Sequence, residues 1–187
     1  MVKNKKFRDY INESITIYHG DNHNTTKLDS KLMNNGNNQE GIGIYFGSLE
    51  TAESYGKNIV YLEINPKNFI ESREPVKKHL RSKLQDILVE LHNLDPEPLY
   101  YDCTDWGMEV SSPEDIEPYH LAQLAKNIEN EEVRNFQIDM AEKFSVENFV
   151  KIWNKIYPNI YGTYHVQPND TWYAVINTKL KLKKFRG

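Results

Sequence analysis

Apolar and polar residues alternate at period two over residues 14–18, Ser-Ile-Thr-Ile-Tyr, the pattern of a strand with one buried face. Further on, Gly41 and Gly43 bracket Ile42 and lead into Ile44, Tyr45 and Phe46. This predicts a short strand whose start lets another backbone or a ligand come close. Residues 49–55 predict one or two helical turns, with Ser48 as N-cap and Gly56 as stop. Residues 58–64 predict a strand stopped by Asn65-Pro66. From Pro75 to His92 the spacing turns helical: Val76, Leu80, Leu84, Ile87, Leu88 and Leu91 share one face, with Pro75 at the favoured first position. Residues 94–108, with Pro96, Pro98 and Gly107, have no clear period and predict a loop tucked onto the body.

Three more helices are predicted, over residues 118–129, 131–144 and 146–156. Val133, Phe136, Met140 and Phe144 align on the second. Phe149, Val150 and Trp153 align on the third, between the N-cap Ser145 and the terminator Pro158. These stripes are core. β patterning returns over residues 160–166 and 171–178, around the turn Gln167-Pro168-Asn169-Asp170. The basic tail from Lys179 to Arg186 fits either a last edge strand or a solvated end. Strands at both ends of a helical middle predict an α+β fold, its sheet assembled from distant parts of the chain and its helical insertion over residues 75–157.

Composition narrows the class. With 187 residues the chain suits one domain with a real core and is short for two. The net charge of −4 makes a nucleic-acid backbone an unobvious partner, and 12% aromatic residues argue against disorder. The single cysteine, Cys103, excludes an intramolecular disulfide and fits a reducing compartment. No apolar run reaches the ~20 residues of a membrane span and no secretory signal is visible. The expectation is a soluble, intracellular, single-domain protein with no membrane partner and no metal.

The candidate chemistry lies in two places. The first strand runs into Tyr18-His19-Gly20, and about two dozen residues later come Gly41-Ile42-Gly43-Ile44-Tyr45-Phe46 and then Ala52-Glu53-Ser54-Tyr55. Tyr45 and Tyr55 can face one another across a gap that admits a flat heterocycle. Between the two motifs, residues 22–39 are rich in Asn, Thr, Asp, Ser and Gly. One helical turn is suggested at Leu28, Leu32 and Met33, and Asn34-Asn35-Gly36-Asn37-Asn38 reads as a turn-rich loop.

This arrangement, over residues 15–70, resembles the nicotinamide-dinucleotide site of ADP-ribosyltransferases of the His-Tyr class, the diphtheria-toxin and poly-ADP-ribose-polymerase type. The resemblance implies a split β-sheet core, mixed and antiparallel, and NAD+ as substrate. It implies that His19 bonds the adenosine-side ribose, that the Gly20 backbone and Thr51 hold the nicotinamide carboxamide, and that Tyr45 and Tyr55 sandwich the nicotinamide ring. It also implies that the 22–39 loop lies beside the adenosine half as a lid. The chain departs from the family at the third catalytic position. Aligning Asp170-Thr171-Trp172-Tyr173-Ala174-Val175 with the family's Asp-Glu-Tyr-Val-Val strand puts Trp172 where a glutamate stands, and tryptophan has no acceptor. Asp170, or Glu109 from elsewhere, then supplies the charge, or a single ADP-ribose is transferred without it.

Residues 1–13 carry Lys3, Lys5, Lys6 and Arg8 beside an apolar stripe of Phe7, Tyr10 and Ile11, and end in Ile11-Asn12-Glu13. This stretch resembles the capsid-targeting peptides of internal head proteins in T-even-like bacteriophages, which a prohead protease removes. The resemblance implies cleavage after Glu13, leaving residues 14–187 as one domain and taking the net charge from −4 to −6. Together the two resemblances imply a mono-ADP-ribosyltransferase packaged in a phage head. Its localisation is the virion and then the host cytoplasm, and its acceptor a host protein or nucleic acid. The alternatives are an inactive dinucleotide- or partner-binding protein of the same fold and a structural internal head protein.

Overall fold

The computed structural model describes residues 14–33, 40–76 and 78–186. The proposed targeting peptide with Glu13, and the turn-rich loop at 34–38, lie outside the described residues. Two sheets and a helical layer make an α+β fold. Strands β1 (Ile15–Asp21), β2 (Ile44–Phe46), β3 (Asn58–Ile64) and β4 (Phe69–Glu71) come first, with helix α1 (Leu49–Tyr55) between β2 and β3. Helices α2 (Lys78–Leu94), α3 (Glu97–Asp105), α4 (Pro118–Ile128), α5 (Val133–Phe144) and α6 (Val146–Ile156) follow, then β5 (Gly162–Val166), β6 (Thr171–Val175) and β7 (Lys183–Lys184).

β3 pairs antiparallel with β1 on one side and with β7 on the other. The second sheet has the order β2-β6-β5-β4, antiparallel except where β4 runs parallel to β5. The sheets are joined where Tyr18 and Gly47 exchange both backbone hydrogen bonds, each 2.9 Å. Beyond that pair β1 and β2 diverge.

The predicted stripes are core. Val76, Leu80, Leu84, Ile87, Leu88 and Leu91 are all buried, as are Val133, Phe136, Met140, Phe144, Phe149, Val150 and Trp153. α2 packs against α4 and α6, and α5 against α6. Phe136, Phe149, Trp153 and Tyr157 form a chain of ring contacts with centroids 4.8–6.1 Å apart. Ser145 turns the chain between α5 and α6 at φ 68°, and its hydroxyl accepts from the Asn148 amide of α6.

Three expectations are corrected. Residues 97–105 form a helix, not a loop, because Pro96 and Pro98 sit where proline is tolerated, at the helix start, while Leu99 and Cys103 one turn apart are buried. Pro75 does not begin α2; it lies in extended backbone bridged to Glu132. β4, three residues long, is an added strand with no alternation long enough to show in the sequence.

Phe149→Ala removes the centre of the aromatic chain and should cost roughly 3–5 kcal/mol in denaturant unfolding. A loss below about 1 kcal/mol would place the core elsewhere.

Candidate functional site

The divergence of β1 and β2 opens a cavity of about 350 Å³, roofed by α1. His19, Gly20, Tyr45, Thr51, Tyr55 and Trp172 all line it. These six residues therefore reach one cavity, although they come from two strands of one half of the chain, a helix and the late strand β6.

Gly20 sets the spacing. A Cβ at this position would stand 1.8 Å from the Ala52 carbonyl oxygen, so only glycine lets α1 lie this close to β1. His19 follows from the same register. Its Nδ1 is 2.8 Å from the Tyr45 carbonyl oxygen, and since a carbonyl only accepts, Nδ1 carries the proton. Nε2 is then the nitrogen left for a ligand, 3.5 Å from Asp21 Oδ2. The His19 ring lies against Phe46, centroids 5.4 Å apart.

Tyr45 is held from behind. Its hydroxyl accepts from the Glu40 amide and donates to the Gly41 carbonyl, both at 2.9 Å. Gly41 adopts φ 111°, a conformation that glycine allows, and a Cβ there would meet Gln137 Oε1 at 2.4 Å. Glu40 is fully buried. Its carboxylate accepts from the Arg73 guanidinium at 2.6 Å and from the Ser72 hydroxyl at 2.7 Å, and its carbonyl accepts from the Thr163 hydroxyl at 2.6 Å. A charge this deep is tolerable only when paired and hydrogen-bonded, as here. Burial pushes the Tyr45 phenol up to about 12. The ring meets Trp172 edge-on, centroids 6.4 Å apart. Tyr55, 62% exposed at the end of α1, forms the lip of the cavity.

Asp170 and Glu109, the two carboxylates expected to supply charge there, are not among the residues lining the cavity. Asp170 accepts from the Ser48 amide at 3.0 Å, the Thr51 hydroxyl at 2.6 Å and the Thr171 amide at 2.7 Å, so it anchors the first turn of α1. Thr51 accordingly gives its hydroxyl proton to Asp170, which leaves an oxygen lone pair rather than a donor for a ligand. Glu109 is exposed in the turn after α3.

The acidic residue that does line the cavity is Asp21, which none of the predicted site motifs includes. Partial burial pushes its carboxyl up, but the Thr25 hydroxyl and the amides of His23, Thr25 and Asn24 outweigh this and hold it below the usual carboxylate range. The signal was the run Asp21-Asn22-His23-Asn24-Thr25, a polar stretch in which an aspartate closes a turn on the amides that follow. Glu40, Ser72 and Arg73 carried no such local pattern. Among the described residues no group of three or more His, Cys, Asp or Glu side chains could hold a metal ion, and no helix is long and apolar enough to cross a membrane.

No protein-family model and no curated protein matches the chain. Among solved structures, one described as the crystal structure of an anti-CRISPR protein is similar at a TM-score of 0.35 and 10% identity, over 94% of this chain and 98% of that one. A likeness this distant carries no argument here.

Tyr45→Phe strands the Glu40 amide and should lower stability near pH 7 by roughly 1–3 kcal/mol. The phenol also predicts a pH effect. A proton held more tightly folded than unfolded contributes stability that is complete below the ordinary value near 10 and is lost as pH rises toward about 12. Denaturant midpoints between these limits should fall less steeply in Tyr45→Phe; equal slopes would mean that Tyr45 ionises as freely folded as unfolded.

Proposed function

We propose that the protein is a mono-ADP-ribosyltransferase that binds NAD+ in the cleft between β1 and β2 and transfers its ADP-ribose to a host macromolecule. The observation that carries this reading is the convergence of His19, Gly20, Tyr45, Thr51, Tyr55 and Trp172 on one cavity of a volume suited to a small molecule. The ADP-ribosyltransferase character of the split sheets belongs to the same proposal.

Breaking the bond between nicotinamide and ribose builds positive charge on the sugar, as in glycoside hydrolysis. The residues here suit that demand in parts. Tyr45, fixed through its hydroxyl, and Tyr55, at the lip, offer two faces for the nicotinamide ring. His19, with Nδ1 engaged, presents Nε2 to a ribose hydroxyl. A pose held this way lowers the barrier by orientation and by excluding water. Trp172 in place of a glutamate leaves no carboxylate to activate an incoming ribose, which fits transfer of one unit rather than a chain.

A second reading, a binding protein that transfers nothing, is favoured by one observation. Asp21, the acidic side chain lining the cleft, already accepts from three backbone amides and is poorly placed to act on substrate. The phage-head route remains part of the proposal through residues 1–13: packaging, removal after Glu13 by the prohead protease, and delivery to the host cytoplasm.

Nicotinamide release by the full chain separates the two readings. The transferase should release nicotinamide, and His19→Ala should release it on the order of 10²-fold more slowly, the usual effect of losing one positioned hydrogen-bonding group. Thermal stability should change little. No release by the unaltered chain would leave the binding protein. Protein recovered from phage particles should begin at Ser14; an intact Met1 there would remove the packaging route.

A further inference from the structure

Tyr18, which lines the cavity and forms the junction of the two sheets, also touches rings carried by β3 and by the residue after β7. It meets Phe185 edge-on at 5.6 Å and Tyr61 at 6.1 Å between centroids. β7 brings the basic tail to these rings: Tyr61 is in register with Lys183, and the Phe185 amide donates to the Ile59 carbonyl. Lys179, Lys181, Lys183, Lys184 and Arg186 are all exposed, and residues 179–186 contain no acidic side chain. Among the described residues only Lys183 of the five forms an ion pair, with Glu63 at 2.7 Å. In a chain of net charge −4 this is a local concentration of cations beside half-buried aromatic rings, of which Tyr18 also lines the cleft.

We propose that this strip docks a single-stranded nucleic acid and that the docked strand is the acceptor of the ADP-ribose. Charge complementarity supplies the first argument: four cations without a described partner match a phosphate backbone. The second is the adjacency of Tyr18, Tyr61 and Phe185, since single strands are held by a cationic track combined with rings on which bases stack. An acidic peptide would use the cations but has no need of the rings. The position follows from Tyr18, which belongs to both surfaces. A strand that docks on β7 and crosses β3 toward β1 reaches the cleft at Tyr18, where a base nitrogen or a sugar hydroxyl attacks the ribose carbon. The carbon–nitrogen bond to nicotinamide breaks, nicotinamide leaves neutral with the bonding pair, and the proton of the attacking group goes to solvent.

The docking half stands on its own, whereas the acceptor half rests on the proposed transferase activity. Binding of a labelled 15-nucleotide single strand, as DNA and as RNA, is therefore measured by fluorescence anisotropy without dinucleotide. It is compared for the full chain and for the variant Lys179→Gln/Lys181→Gln/Lys184→Gln/Arg186→Gln, which leaves the Lys183–Glu63 pair intact. The unaltered chain should bind, and the variant at least about tenfold more weakly, with a salt slope smaller by about 0.7 for each phosphate that the missing cations would have neutralised. Phe185→Leu, with every charge kept, should weaken binding without changing that slope. Equal binding by the fourfold variant, or none by the unaltered chain, overturns the strip. With labelled dinucleotide added, label on the oligonucleotide supports the acceptor assignment. Nicotinamide release with label only on protein overturns it, and no release at all refutes the transferase while leaving the strip.

Discussion

Two hydrogen bonds between Tyr18 and Gly47 decide where this protein has a cleft. Among the described residues they are the backbone pair that joins β1 to β2, before β1 has reached His19 and after β2 has ended at Phe46, and the His19 side chain adds one bond to the Tyr45 carbonyl. A longer ladder would have zipped the strands shut, and no ladder would have left two unconnected layers. With one bridging pair, β1 continues along β3 while β2 continues along β6, and the space between them is covered by α1. That helix can close over β1 because Gly20 carries no side chain, and it is anchored from the far sheet by Asp170. The cavity is thus a product of strand divergence, and its lining residues are those that the divergence exposes.

A second constraint acts from behind. Tyr45 sits on a three-residue strand, too short to hold an aromatic ring against a ligand by backbone pairing alone. Its hydroxyl is instead fastened to Glu40 and Gly41, and Glu40 is fastened by Thr163 on β5 and by Ser72 and Arg73 just after β4. Burying the Glu40 carboxylate is costly, and the ion pair with Arg73 offsets that cost rather than adding net stability. What the arrangement secures is position. The ring that would face a flat ligand is coupled to the floor of the second sheet.

The helical layer was the more legible part of the sequence, because a buried face repeats every three to four residues and α2 and α5 each show it over three or more turns. α3 was hidden by its prolines, which read as breakers although both fall at the start of the helix. β4 was hidden by its length. In the site, His19, Gly20, Tyr45 and Tyr55 were legible as local motifs, since each lies within a strand-plus-glycine or a helix-end pattern. Asp21 could have been found from its turn. The Glu40–Arg73 pair could not, because its partners lie 33 residues apart and nothing local to either marks the other. Asp170 was legible as a carboxylate near the site, but its engagement with α1 depends on the antiparallel pairing of β6 with β2, which no local pattern specifies.

The central claim is that the cleft between β1 and β2 binds the dinucleotide, and Trp172 is a native reporter within it. Intrinsic tryptophan fluorescence, followed while NAD+ is titrated into the full chain and into Trp172→Phe, tests this directly. The account predicts a saturable change in the unaltered chain that disappears in the variant, because Trp106 lies exposed after α3 and Trp153 is buried in the helical core. A saturable change that persists undiminished in Trp172→Phe, or no change at all, would contradict it.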